Sequence, residues 1–327
     1  MSVLKRNLDK LLASAHSQNM AIDATAAAVT ADVEYANKIV RTYLEIFERM
    51  GASPVGKDVL ELGPGKNFGS TLIFGCLGAR VAVSDLYLSS WDSEYHPVFY
   101  RRLLDALAKN FPKADPAPLR QIVELGAYPP GVLRAYHRKA ENLSGIESKS
   151  YDVVISNAVL EHVEDPKSAA REMMRVTRPG GFGIHQIDFR DHRDFSKPLE
   201  YLLLSRTEFS RYFVYAQGSC GNRWRQSDFI NVFNEAGFAI DLCEANLFAT
   251  DEYLEDLLPR LGSATQMFSR LDLHVLSGLF VLRRPIRDRR AFLNTALWDP
   301  QTAYIKNRRR LKQKLKPLLG SSHSTQA

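Results

Sequence analysis

The stretch from Asp58 to Asp85 constrains this 327-residue chain more than any other. A short apolar run, Asp58-Val59-Leu60-Glu61-Leu62, passes directly into Gly63-Pro64-Gly65-Lys66-Asn67-Phe68-Gly69. Ser70 to Leu77 then carries a helical pattern that stops near Gly78, and Arg80-Val81-Ala82-Val83-Ser84 is a second strand with Asp85 at its tip. Strand, glycine turn, helix, strand is a βαβ unit, which commits a chain to parallel pairing with helical crossovers. A glycine turn at that junction lets a ligand approach the backbone and aims the free N–H groups of the helix start at it. The dinucleotide pattern G-x-G-x-x-G/A fails, because its third position would be Phe68 and the next glycine falls one residue late, at Gly69. No Gly-Lys-Ser/Thr follows at Walker spacing. Alone, the loop is also compatible with a plain turn that binds nothing. Two acids change the reading. Glu61 ends a buried strand, where an unpaired carboxylate is costly, so a ligand ammonium is its expected partner. Asp85 is placed to accept hydrogen bonds from both hydroxyls of a ribose. Glycine turn and acids together predict a ligand that carries an amino acid and a ribose.

The rest of the chain alternates strands and helices. Ile39, Val40, Tyr43, Leu44 and Phe47 recur at helical spacing before Gly51, behind an Ala-rich lead-in over 1–30. After Asp85 a segment too long for a simple crossover holds the aromatics Tyr87, Trp91, Tyr95, Phe99 and Tyr100, a helix from Tyr100 to Asn110, and a proline-rich link. Strands are predicted near Leu133–His137, at Tyr151–Ser156, at Phe182–Ile187, at Phe238–Leu242 and at His274–Leu282. Helices are predicted at Asp165–Val176 and Asp228–Ala236, with helical signals clustered between Pro198 and Phe213. The expected fold class is α/β: a Rossmann-like, doubly wound, mostly parallel seven-stranded sheet with helical insertions after strands two and five. The expected division is an N-terminal helical extension (1–50), a main domain (51–285, with insertions at about 87–130 and 192–225) and a basic C-terminal tail (286–327).

With these motifs in place, the sequence resembles the class I S-adenosylmethionine-dependent methyltransferases. VLELGPGKNFGS looks like their first motif, VAVSDLY like the acidic second-strand motif, and KAENL like the adenine-contacting turn after strand three. YDVVISNAVLEHVEDP and REMMRVTRPGGFGIHQIDF are similar to the fourth- and fifth-strand region of the type 11 subgroup. The resemblance implies S-adenosylmethionine as cofactor. It implies that Glu61, Gly63 and Gly65 receive the methionine moiety, that Asp85 binds the ribose and that Leu86 packs on the adenine. It further implies that Ala140 and Glu141 border the adenine edge and that Asn157 lines the methionine pocket. Relatives commonly have an acid just before the Ala-Glu pair; here it is Lys139, which leaves Glu141 as the substitute for the adenine hydrogen bond.

Methyl transfer from a sulfonium rests mainly on alignment, needs no obligatory metal, and for a hydroxyl acceptor also needs a base. His162, after strand four, is the first candidate for that base because it matches the resembling motif, and Asp188, at the end of strand five, is the second. His185 lies inside a strand and reads as structural. Each imidazole has an equally good reading as a hydrogen-bonded core histidine. Trp91, Tyr95 and His96 are candidates for an acceptor wall, or else for plain packing of the inserted helix. His192 and Arg193, with Arg190 and Lys197 nearby, are candidates to hold an anionic acceptor such as a sugar phosphate.

Composition narrows the alternatives. At 45% hydrophobic and 24% charged, the chain can bury a core. No apolar run approaches the ~18 residues of a membrane span, and the N-terminus lacks a secretory h-region. The three cysteines, Cys76, Cys220 and Cys243, are too scattered for a disulfide framework and suit a reducing compartment. The net charge of +6 is uneven: Arg283 to Lys316 holds twelve Lys and Arg against Asp288 and Asp299, so the remainder is net acidic. That disfavours a general nucleic-acid binder. The tail reads as a solvated helix, as a peripheral contact with anionic lipid, with Leu311, Leu315, Leu318 and Leu319 on the apolar side, or as a sequence-neutral, salt-sensitive nucleic-acid contact. The expected protein is a cytoplasmic methyltransferase, in one reading peripheral at the inner membrane face, with a small-molecule or glycan acceptor. A non-catalytic adenosyl-binding scaffold is the alternative from another class; a nicotinamide oxidoreductase is disfavoured by Phe68.

Overall fold

The computed structural model describes residues 22–215, 220–261 and 268–286. The first part of the lead-in (1–21) and the tail from 287 onward lie outside the described residues. Among the described residues seven strands form one sheet: β1 (Asp58–Leu62), β2 (Arg80–Asp85), β3 (Arg134–His137), β4 (Tyr151–Asn157), β5 (Thr177–Asp188), β6 (Ala239–Phe248) and β7 (Val275–Arg283). Their order is β3-β2-β1-β4-β5-β7-β6. The first five pair in parallel, and β7 is antiparallel to both neighbours. The order reverses between β1 and β4, the point where open α/β sheets bind ligands beyond their strand ends.

Alternate residues of the buried strands face opposite layers. Val59, Val83, Val153, Ile155 and Ile184 share a core with α1 (Ala26–Arg49), α2 (Gly69–Cys76), α3 (Tyr95–Asn110) and α4 (Ala117–Leu125). Leu60, Leu62, Val154, Ile187 and Phe280 face α5 (Pro166–Val176) and α7 (Gln226–Ala236). A third cluster gathers the second insertion, with α6 (Arg206–Tyr215), under α8 (Asp251–Leu257) and the start of β7, which follows α9 (Arg270–His274).

Four sequence expectations are revised here. Helix α1 starts at Ala26, where the Thr25 hydroxyl accepts from the Ala28 N–H; it is longer than the pattern from Ile39 suggested. It is also no appendage. Tyr43 donates to the Ser156 carbonyl at 2.7 Å, and Phe47 packs edge-on against Phe182 at 5.2 Å, inside the sheet's own core. Strand β5 runs back to Thr177, because Arg178-Pro179-Gly180-Gly181 is looped out as a bulge between two stretches paired with β4. The basic run does not begin as tail: Arg283 pairs with Asp241, and buried Arg284 donates to the Met174 and Thr177 carbonyls at the end of α5.

Candidate active site

The candidate site is built from the loops after β1 to β5. Gly63 and Gly65 both take the left-handed backbone region, with φ of 61° and 72°. A side chain on Gly63 would sit 2.4 Å from Val159 Cγ2, so the loops after β1 and β4 touch at that point. At Gly65 an added Cβ would meet no atom within 4 Å, which leaves the second turn of the loop open to a ligand.

Glu61 is buried, and burial pushes its carboxyl up to about 7 against the opposing pull of its hydrogen bonds. Ser70 donates to both oxygens at 2.8 and 2.9 Å, and Thr71 donates to Oε2. The expectation that a ligand ammonium must answer for this carboxylate is corrected: the hydroxyls in the first turn of α2 do so, and they bind the loop back to its own strand.

The aromatic cluster is corrected in the same way. His96 and Tyr95 have no exposed surface and do not line an open wall. The Asp92 N–H donates to His96 Nδ1 at 2.7 Å, so Nε2 carries the proton and donates to the Lys66 carbonyl at 2.9 Å. Burial lowers the His96 pKa, in keeping with that neutral ring. Tyr100 donates to the Asn67 carbonyl at 2.5 Å, and Asn67 Nδ2 donates to the Tyr95 hydroxyl at 2.9 Å. Trp91, half-buried, stacks on His96 at 5.1 Å. These rings clamp the glycine loop from behind.

At the adenosyl end, Asp85 accepts from the Tyr87 N–H at 2.7 Å, and burial raises its pKa. Leu86 and Tyr87 stand exposed beside it, 44% and 68%, while His137 holds the Leu86 carbonyl. Ala140 is buried. Glu141 accepts from the Glu164 N–H at 2.9 Å and so ties the turn after β3 to the loop after β4. Asn157 donates to the Tyr35 hydroxyl at 2.5 Å. Tyr35 was missed by sequence reasoning. Its signal was the helical spacing that Val29, Val33, Ala36, Val40 and Tyr43 extend through the lead-in.

Beyond Asn157 the structure brings together Glu161, His162, Asp188 and His192. The rings of His162 and His192 meet edge to face at 4.8 Å, and His192 Nε2 lies 3.6 Å from Asp188 Oδ2. Burial works against ionisation of Asp188, but the hydrogen bonds and charge of Arg190, with the His192 ring close by, outweigh it and hold the carboxyl well below the usual range. Arg190 grips both Asp188 oxygens, at 2.9 and 2.6 Å. Asp188 is thus a stabilised anion, weak as a proton acceptor, and it acts as a partner for His192. Arg193 does not reach outward: its fork closes on buried Asp191, with Nε 2.7 Å from Oδ1. His185 is structural, bonded through Nδ1 to Ser156 Oγ at 2.8 Å, with burial lowering its pKa to about 3. A cavity of about 520 Å³ between α1 and α3, lined by Lys38, Arg41, Arg102 and Lys109, includes none of these groups.

Residues 112–184 match a family model described as a methyltransferase domain, from the first insertion into β5. Over 61 residues the chain is 39% identical to the ubiquinone biosynthesis O-methyltransferase of Sodalis glossinidius, a match covering 18% of this chain and 24% of that protein. The alignment thus spans about a quarter of the curated relative's length. Among solved structures, an S-adenosylmethionine dependent methyltransferase from Mesorhizobium loti is 15% identical, over 73% of this chain and 96% of that one, with a TM-score of 0.42. Phosphoethanolamine N-methyltransferase 2 of Haemonchus contortus, in complex with S-adenosyl-L-methionine, is 17% identical over 77% and 56% of the two chains, with a TM-score of 0.42. The match places a methyltransferase domain over residues 112–184, and the strand order and the glycine loop after β1 are those expected of an S-adenosylmethionine-binding sheet. Its residues fit that cofactor: Gly65 keeps open the space that a Cβ would fill, and Asp85 with exposed Leu86 forms the neighbouring strand end.

Proposed function

We propose that the chain transfers a methyl group to a hydroxyl of a small-molecule or glycan acceptor. The observation that carries this reading is the placement of the Glu161–His162–Asp188–His192 cluster one strand end beyond the open glycine loop, with Asn157 between them. S-adenosylmethionine, when bound, supplies an electrophilic methyl on a sulfonium. Gly63 and Gly65 would admit its methionine part, Asp85 would accept from its ribose hydroxyls, and Leu86 would cover an adenine face. Asn157, fixed by Tyr35, lines the methionine pocket. Positioning of this kind supplies up to ~7–11 kcal/mol of barrier reduction. The acceptor's proton is lost at the cluster led by His162, with His192 beside it and Asp188 orienting His192. A relative named for O-methylation supports an oxygen acceptor, and the exposed aromatic Tyr87 supports one with an apolar face.

The test is formation of S-adenosylhomocysteine across a panel of phenolic, quinol and sugar acceptors, followed by the same assay on His162→Gln. We expect at least ~10²-fold loss of turnover in that variant with cofactor affinity nearly unchanged, the lower range for a general acid–base group. Turnover intact at saturating cofactor would remove His162 from the chemistry. Cofactor binding with no acceptor turned over would favour a binding role without catalysis.

A further inference from the structure

We propose that Glu161, His162 and His192 form a binding site for a divalent transition-metal cation. One ligand atom from each lies within 4.8 Å of the other two. Glu161 is only 2% exposed, and its oxygens are used unequally. Oε1 accepts from the Asp188 N–H at 3.3 Å, while Oε2, which is buried, has no hydrogen-bond partner among the described residues. His192 Nε2 is likewise buried without a hydrogen bond, since the 3.6 Å to Asp188 is too long for one. Native interiors rarely leave such atoms without partners. Two atoms in this condition, from residues 31 positions apart in sequence and beside the His162 imidazole, point to a cation as the partner that takes their lone pairs.

The donor set selects its class. Two imidazoles and one carboxylate suit Zn²⁺, Co²⁺, Ni²⁺ or Fe²⁺, whereas Mg²⁺ and Ca²⁺ prefer oxygen ligands throughout. Ligands held at about 2.1 Å in a tetrahedron stand ~3.4 Å apart, against separations of up to 4.8 Å here, so the side chains draw together by at most about 1.4 Å on loading. His192 lies on the loop after β5, which allows that movement. Asp188, pinned by Arg190, lies 3.6 Å from that same His192 nitrogen and adds negative charge beside the cation. Three protein ligands leave a coordination position for a further oxygen. Taking that oxygen as the acceptor's rests on the functional reading above, and with the cation bound His162 serves as ligand rather than free base. Binding of the cation does not depend on that reading.

The experiment uses the full chain, stripped with chelator and dialysed, then titrated with Co²⁺ and Zn²⁺ alone. The expected result is one equivalent of Co²⁺ with visible d–d absorption, displaced by Zn²⁺ and not by millimolar Mg²⁺. His192→Gln and Glu161→Gln are each expected to weaken binding by at least ~100-fold. Because Glu161 is buried and its variant can fail to fold, the His192 variant carries the decision by itself. Absence of stoichiometric Co²⁺ uptake, or equal uptake by wild type and His192→Gln, overturns the proposal. S-adenosylhomocysteine is titrated in parallel against the same samples, and its binding tests the functional reading alone.

Discussion

Gly63 and Gly65 share a backbone conformation but differ in surroundings, and that difference is measurable. Alanine at either position incurs the left-handed strain of about 1–2 kcal/mol. At Gly63 the new Cβ also drives into Val159, 2.4 Å away, adding about 1–3 kcal/mol of overpacking. Chemical denaturation should therefore show Gly63→Ala clearly less stable than Gly65→Ala. Gly65→Ala, whose Cβ enters the ligand's space, should lose cofactor affinity out of proportion to its stability. Equal stability losses would mean that the loops after β1 and β4 do not touch as described. At this scale the sequence revealed which residues sit at the strand ends and little of what their side chains meet. Gly63, Asp85 and Asn157 were legible because they lie at strand ends, which buried apolar runs mark. The partners were not. Nothing in the order of residues says that Ser70 and Thr71 answer for Glu61, that Asp191 closes the Arg193 fork, or that His96 holds a carbonyl of the glycine loop. Those bonds depend on tertiary placement.

Helix α1 shows the same limit for whole elements. Its C-terminal half was legible from helical spacing, while its Ala-rich start carries little amphipathic contrast and was read as a loose lead-in. The helix proves to belong to the sheet's core, with Phe47 wedged between Phe74 and Phe182. Phe47→Ala should cost roughly 3–5 kcal/mol, read as a fall in urea midpoint at unchanged slope. A loss below about 1 kcal/mol would restore the view of residues 1–50 as an extension. Strands β1, β2 and β4 were placed within a residue because both faces are buried and their sequences are continuously apolar. Strand β5 was cut short because Pro179-Gly180-Gly181 reads as a turn, yet serves as a bulge. Strand β6 was cut short because it sits at the sheet edge, half-exposed, without the alternation that marks a strand. Helices α4 and α8 carried too few periodic residues to be singled out.

At the scale of the molecule, the sheet order and the charge distribution bear on different questions. The reversal of strand order between β1 and β4 gathers the glycine loop, Asp85, Asn157 and the histidine cluster along one edge, although they are spread over more than a hundred residues. No described helix is long and apolar enough to cross a membrane. Because Arg283 and Arg284 belong to the fold, a proper test of the tail compares the full chain with one ending at Ile286. If the tail binds lipid, the full chain co-sediments with anionic vesicles at low salt and the shortened one does not; equal sedimentation removes the membrane reading. The central claim is that the glycine loop and its neighbouring strand ends form an adenosyl-cofactor site, and titration calorimetry tests it most directly. The account predicts saturable binding of S-adenosylmethionine and S-adenosylhomocysteine by the full chain, weakened by Gly65→Ala, with no heat from NAD. Binding of NAD, or no binding of either adenosyl ligand by the folded protein, would contradict it.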